Sequence, residues 1–209
     1  MAPVIDIVCH AESRHNIEGN HIPDPSLTDK GFAQAAMLQN TYPFVDEVRA
    51  IISSPMRRAI QTAREAFEPL MKQGMPILLL RELQETSSRP SDTGSPWQKL
   101  REEFGLQVDL ELLCQGEWHK DATDNTTRGP DPQRIAEKAR QARVFIRSLA
   151  RNFEEDDHVV VVTHSQFVRV LIEGQPELGN AELVSCRFDD LFGDDDQAIL
   201  REICPEDID

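Results

Sequence analysis

Along this chain, short apolar runs rich in β-branched residues alternate with longer stretches whose apolar positions recur every three or four residues. Val4 to Val8 is the first run, and it stops abruptly in Cys9, His10, Ala11, Glu12 and Ser13, a switch to small and polar groups that marks the mouth of a buried strand. Ala50 to Ser53 and Pro76 to Leu80 repeat the pattern. The clearest case is Asp157 to Ser165, whose centre Val159 to Val162 is continuously apolar, as a strand covered on both faces requires. Glu182 to Phe188 and Ala198 to Ile203 predict two closing strands.

Helical spacing fills the intervals. Thr28 predicts an N-cap, and Phe32, Ala35, Ala36 and Leu38 give an apolar face to a helix running to about Tyr42. Ser54-Pro55 ends the second strand and opens a helix from Met56 to about Met71; further helices are expected from Trp97 to about Val108, from Pro132 to Asn152 and around Phe167 to Ile172. Gly19 to Pro25 and Thr86 to Gly94 are rich in turn formers, and the acidic Asp189 to Asp196 reads as a loop. Leu110 to Pro130, with Trp118, His119 and Asn125, predicts no regular element and suits a cap over a pocket. Strands alternating with helices predict an α/β domain with a mostly parallel sheet. In such sheets ligands bind at the carboxyl ends of the strands.

The 209 residues suffice for one substantial core, so a single domain over 1–209 is expected, with 86–130 as a lid or cap insertion. A net charge of −15 repels phosphate backbones and anionic membrane surfaces. Nucleic acid and membrane are therefore excluded as partners, and a small-molecule substrate is expected; nothing in the pattern speaks to oligomeric state. Met1 to Val8 lacks the basic start, longer apolar core and cleavage site of a signal peptide. Four scattered cysteines without CxxC spacing fit free thiols in a reduced, cytoplasmic setting. Cys114 and His119 lack metal-ligand spacing, so neither metal nor cofactor is expected. His21, His119 and His158 read as surface residues, and Arg57 as a solvated helix residue.

Three predicted strand ends present His10, a glutamate near position 85 and His164, while a helix start presents Arg58. Two imidazoles, a carboxyl and a guanidinium at one sheet edge suit phosphoryl or acyl chemistry.

At these residues the chain resembles the histidine phosphatase superfamily, whose fold is phosphoglycerate-mutase-like, over nearly its whole length. The family's opening Arg-His-Gly followed by Asn corresponds to Cys9-His10-Ala11 and Asn16; its Leu-Thr-x-x-Gly-x-x-Gln to Leu27, Thr28, Gly31 and Gln34. Its Ser-Pro-x-x-Arg-Ala-x-x-Thr-Ala is matched by Ser54, Pro55, Arg58, Ala59, Thr62 and Ala63, and its Val-x-His-Gly by Val162-Thr163-His164-Ser165. Leu83-Gln84-Glu85 fits the family's Leu-x-Glu and is preferred because 80–85 align with a longer family run, although Leu80-Arg81-Glu82 fits the short pattern. The Ser-Asp-Thr-Gly-Ser of 91–95 and His15-Asn16 look most like fungal members.

The resemblance implies a three-layer αβα sandwich and hydrolysis of a phosphomonoester through a phosphohistidine at His10. By the same likeness Arg58 and His164 hold phosphate oxygens, Glu85 serves as proton donor and then acceptor, and Asn16 adds a hydrogen bond. Cys9 and Ser165 border the substrate.

One departure stands out. The residue before the nucleophile is Cys9 instead of arginine, so a planar bidentate donor is replaced by a short thiol. Losing one preorganised donor costs roughly 10² to 10³ in rate. Either Arg14, Arg57, Arg89 or Arg169 fills the gap, or the pocket has turned to proton transfers on an unphosphorylated metabolite, such as dehydration, isomerisation or ring closure. A catalytically dead binding protein is the third reading. Cys9 itself reads as a small packing group rather than a nucleophile.

Overall fold

The β-branched runs become the strands of one twisted seven-stranded sheet in the computed structural model, which describes residues 2–114, 118 and 131–204. In chain order the strands are β1 (Val4–Cys9), β2 (Val48–Ser53), β3 (Ile77–Leu79), β4 (Val108–Asp109), β5 (His158–Thr163), β6 (Leu183–Phe188) and β7 (Leu200–Glu202). Their spatial order is β4-β3-β2-β5-β1-β6-β7. The first five in that row are mutually parallel; β6 and β7 run antiparallel at one edge.

Side chains alternate across the central strands, so one period-2 pattern feeds two cores. Ile5, Ile7, Ile52, Val159 and Val161 face a layer built from α6 (Pro132–Ala150) and α7 (Ser165–Leu171), through Ala139, Ala142, Ile146, Phe167 and Leu171. Val8, Ile51, Val160 and Val162 face the opposite layer, where Ala59, Ile60 and Ala63 of α3 (Arg57–Ala66) and Leu100 and Phe104 of α5 (Trp97–Phe104) pack. The result is the expected three-layer αβα sandwich with a mostly parallel sheet.

Local details depart from the expectation where short-range chemistry wins. The helix expected from Met56 to Met71 is two, α3 and α4 (Glu68–Lys72). Pro69 lacks the N–H and the clearance to continue the turn. The helix expected to reach Val108 stops at Phe104 because Gly105 (φ 60°) turns the chain, and Val108 instead starts an edge strand. The short α1 (Arg14–Glu18) was not foreseen; Ser13 and Asn16 close it with reciprocal backbone hydrogen bonds. Trp118 is buried as packing, while His119, Asn125 and the rest of 119–130 lie outside the described residues.

Thr28 caps α2 (Asp29–Thr41) as the sequence suggests, its hydroxyl accepting the Gly31 N–H at 3.0 Å. Gly31 is required for a steric reason: a Cβ there would stand 2.0 Å from the Glu12 carbonyl oxygen. Gln34 Oε1 takes the Glu12 N–H at 2.8 Å. The Leu-Thr-x-x-Gly-x-x-Gln stretch therefore clamps the loop that leaves β1, which begins at His10.

Candidate active site

Strand register brings the two histidines together. β1 and β5 pair in parallel from Val4 and His158 through Cys9 and Thr163, so His10 and His164 each take the first position beyond adjacent strand ends. The His10 N–H donates to the Thr163 carbonyl at 2.9 Å, and the imidazole centroids lie 5.1 Å apart, edge to face. β2 lies on the other side of β5, and its end leads through Ser54-Pro55 into α3, whose second residue is Arg58. Past β3, the 3₁₀ turn Arg81–Leu83 delivers Glu85.

The His10 ring is fixed by its own backbone. Nδ1 lies 2.7 Å from the Ala11 carbonyl, which can only accept, so Nδ1 carries the proton and Nε2 the lone pair. Ala11 is anchored in turn, its N–H donating to Thr62 Oγ1 at 3.0 Å while the Thr62 hydroxyl donates to the Arg58 carbonyl at 2.7 Å. Burial, reinforced by the Arg58 charge, holds the His10 pKa well below 6.5. The ring is neutral, as a nucleophile or base must be.

His164 is held differently. Ser54 Oγ accepts the Met56 N–H at 3.4 Å and lies 2.8 Å from His164 Nε2, within hydrogen-bond reach. Burial, and then Arg58, lowers this pKa well below 6.5 too. His164 Nδ1 is buried without a hydrogen-bond partner among the described residues, and so is Arg58 Nε.

The rest of the Arg58 guanidinium is engaged. Nη1 donates to the Ser91 carbonyl at 2.7 Å and Nη2 to Asp92 Oδ1 at 2.9 Å, an ion pair with both side chains buried.

A cavity of about 340 Å³ opens in front of these groups, the size of a small-molecule site. Cys9, His10, Asn16, Glu85 and Ser165 line it; Arg58 and His164 are fully buried and are not among the lining residues. Of the two candidate acids, Glu85 lines the cavity while Glu82 bonds Arg81 at 2.8 Å. The Glu85 carboxyl is pushed above its ordinary 4.5 chiefly by burial and by Asp92, against the Thr86 N–H and the charges of Arg58 and Lys138. Asn16 Oδ1 accepts the Ser13 N–H at 2.9 Å, which leaves its NH₂ as the donor for a ligand. Cys9 is buried, and desolvation followed by Glu85 raises its thiol to about 12; a neutral thiol is a poor nucleophile.

Among the lining residues that the sequence did not assign to the site are His15, Asn20, Ser87 and Asp92. The signal for Asp92 was the Ser-Asp-Thr-Gly-Ser run, and for His15 its place beside Asn16. The His15 ring lies 5.6 Å from that of His10, and burial brings its pKa to about 4. Of the arginines offered as replacements for the missing one, Arg89 lines the cavity, whereas Arg57 is bound to Glu103 at 2.7 Å and Arg169 to Glu177 at 2.9 Å. Arg57 is thus a partly exposed helix residue that is also paired. His158 is no surface residue: it is 2% exposed and bonded to Asp6 at 2.6 Å.

This fold and histidine pair place the chain among known proteins. The family model described as the histidine phosphatase superfamily (branch 1) matches residues 5–190, and the chain belongs to that superfamily. Similar solved structures include YhfR of Bacillus stearothermophilus, at 19% identity and TM-score 0.63 over 100% of this chain and 98% of that one. A mycobacterial glucosyl-3-phosphoglycerate phosphatase complexed with VO3 aligns at 19% identity and TM-score 0.62, covering 97% and 98% of the two chains. A phosphoglycerate mutase from Bacillus anthracis gives 19% and 0.60, covering 99% and 95%. At these identities the likeness establishes the phosphoglycerate-mutase-like fold. No curated protein sequence matches the chain. Among the described residues, no helix is long and apolar enough to cross a membrane.

Proposed function

We propose that this chain hydrolyses a small-molecule phosphomonoester through a phosphohistidine at His10. The observation that carries the reading is the pairing of a fixed, neutral His10, its Nε2 unprotonated, with two buried nitrogens that lack a hydrogen-bond partner among the described residues, His164 Nδ1 and Arg58 Nε. A buried donor without a partner costs about 1 to 3 kcal/mol, and a phosphoryl group held between these residues would satisfy both.

The chemistry then follows in two displacements. His10 Nε2 attacks phosphorus as the bond to the ester oxygen breaks, and the protonated Glu85 gives its proton to that oxygen. In the second half Glu85, now a carboxylate, takes a proton from water. The water oxygen attacks phosphorus, releasing inorganic phosphate and restoring neutral His10. Arg58, His164 and the Asn16 NH₂ hold the non-bridging oxygens while charge spreads over them. Residues 1–209 are taken as one domain, and 86–130, of which 115–117 and 119–130 lie outside the described residues, is assigned the selection of the organic part of the substrate. Four free cysteines support action in the cytoplasm.

A second reading is favoured by Cys9 and by the Asp92 carboxylate on Arg58. Together they remove one cation from the site and neutralise another, and His10 and Glu85 could then serve as base and acid on an unphosphorylated metabolite.

Turnover of an aryl phosphate by the native protein, Cys9→Arg and His10→Ala decides between the two. Hydrolysis by the native protein that disappears in His10→Ala, and rises roughly 10²-fold in Cys9→Arg, is the expected outcome. An inactive native protein whose Cys9→Arg variant gains turnover that still needs His10 would establish the second reading.

A further inference from the structure

The anion seat already holds a carboxylate. Asp92 Oδ1 bonds Arg58 Nη2 at 2.9 Å, Oδ2 accepts the Ser87 hydroxyl, and the residue lines the same cavity as His10 and Glu85 while only 5% exposed. Its position is built rather than incidental. The Asp92 N–H donates to the Arg89 carbonyl at 2.9 Å, and its carbonyl accepts Gln84 Nε2 at 3.0 Å. Ser91, beside it, donates its N–H to the Asn20 carbonyl at 3.1 Å and gives its own carbonyl to Arg58. Two residues on, Gly94 has no room for a side chain: a Cβ would stand 1.9 Å from the Trp118 ring. The turn Pro90–Asp92 is therefore gripped from both sides, and it presents the carboxylate to Arg58.

We propose that Asp92 is a specificity-determining residue which competes with the substrate's phosphoryl group for Arg58, so that small dianions are turned away and only esters whose organic part contributes binding are accepted. This deepens the hydrolysis reading and rests on it. The physical reason is charge. In the absence of Asp92 a dianion would meet a buried guanidinium; in its presence it meets a neutral pair and the like charge of a carboxylate, in surroundings of low dielectric where both effects are amplified. Loss of the arginine before His10 sharpens the competition, because Cys9 supplies no second fixed cation there. An aspartate that merely oriented Arg58 for catalysis would behave in the opposite way, since its loss would weaken the site.

Calorimetric titration of inorganic phosphate and orthovanadate into the native protein, Asp92→Asn and Asp92→Ser separates these. Asp92→Asn retains an oxygen for Arg58 and removes the charge. It should bind both anions at least about tenfold more tightly than the native protein. Asp92→Ser removes the charge with a smaller side chain and should give a gain in the same direction. Unchanged or weaker binding in Asp92→Asn overturns the proposal; should that variant fail to fold, as judged by its thermal melt, unchanged or weaker binding in Asp92→Ser overturns it. Binding and turnover report separately: tighter anions in a variant that hydrolyses no phosphate ester uphold the role of Asp92 and refute the hydrolysis reading, whereas a hydrolytic native protein with no gain in Asp92→Asn does the reverse.

Discussion

Strand β5 carries a buried histidine at each end, and the protein treats the two in opposite ways. At the amino end His158 donates from Nδ1 to Asp6 Oδ2 at 2.6 Å; the same carboxylate accepts the Tyr42 hydroxyl at 2.5 Å and the Ser185 hydroxyl at 2.6 Å, and Phe44 stacks on the imidazole at 4.3 Å. Both oxygens of the carboxylate are used. At the carboxyl end His164 keeps Nδ1 unpartnered and His10 keeps Nε2 unprotonated, 5.1 Å between their centroids, with the Arg58 Nε also unmatched. A buried polar group that is fully paired contributes to one unique packing. One that is left open costs stability and is tolerated where a ligand will use it. The contrast separates structure from chemistry better than residue type does, since all three are buried histidines.

The largest effects should fall on opposite observables. His10→Ala should cut phosphomonoester turnover by roughly 10³-fold or more while leaving the melting temperature within a few degrees of native; a large drop in melting temperature would show that His10 is a packing residue like His158. Asp6→Ala strands His158, Tyr42 and Ser185 without their acceptor and should destabilise by about 3 to 5 kcal/mol in chemical denaturation, with KM unchanged. A stable Asp6→Ala with impaired turnover would mean that the two ends are coupled.

The pH dependence sharpens the comparison at smaller amplitude. His10 and His164 have folded pKa values below the 6.5 expected of the unfolded chain, so below that pH the unfolded state binds more protons and stability falls as pH drops. Glu85 is raised above 4.5, so its contribution has the opposite sign, present at low pH and lost as pH rises through the folded value. For activity the same groups predict a bell in kcat/KM, with the acid limb below 6.5 from His10 and the alkaline limb above 4.5 from Glu85. Glu85→Gln should flatten the alkaline limb, as measured by a pH series on the aryl phosphate. An alkaline limb that survives this change would assign the proton transfers to another group.

Legibility from the sequence followed the range of the forces involved. Strands such as Val159 to Val162 were readable because burial on both faces demands a continuous apolar run, and Thr28 because a cap is a contact between near neighbours. The break at Phe67 and the stop at Gly105 were harder, since one proline or glycine competes with helical spacing that continues on either side. His158 was misread because a histidine at a strand start carries no mark of the carboxylate that will meet it 152 positions away in the chain. Asp92 sat in a recognised run, yet nothing local says that its carboxylate closes on Arg58.

The order of residues alone determined the α/β class with a mostly parallel sheet, through periodicity, and the histidine phosphatase motifs, through short spacings that survive in one dimension; the resemblance those motifs carry then implied the three-layer αβα sandwich and the gathering of His10, Arg58, Glu85 and His164 in one site. Only the tertiary structure decided which nitrogen of each histidine is free, that Glu85 and not Glu82 lines the cavity, and that Asp92 sits on Arg58. Those outcomes depend on strand register and on angstrom-scale distances between loops far apart in the chain, and directional hydrogen bonds and charges are felt only once folding has set those distances.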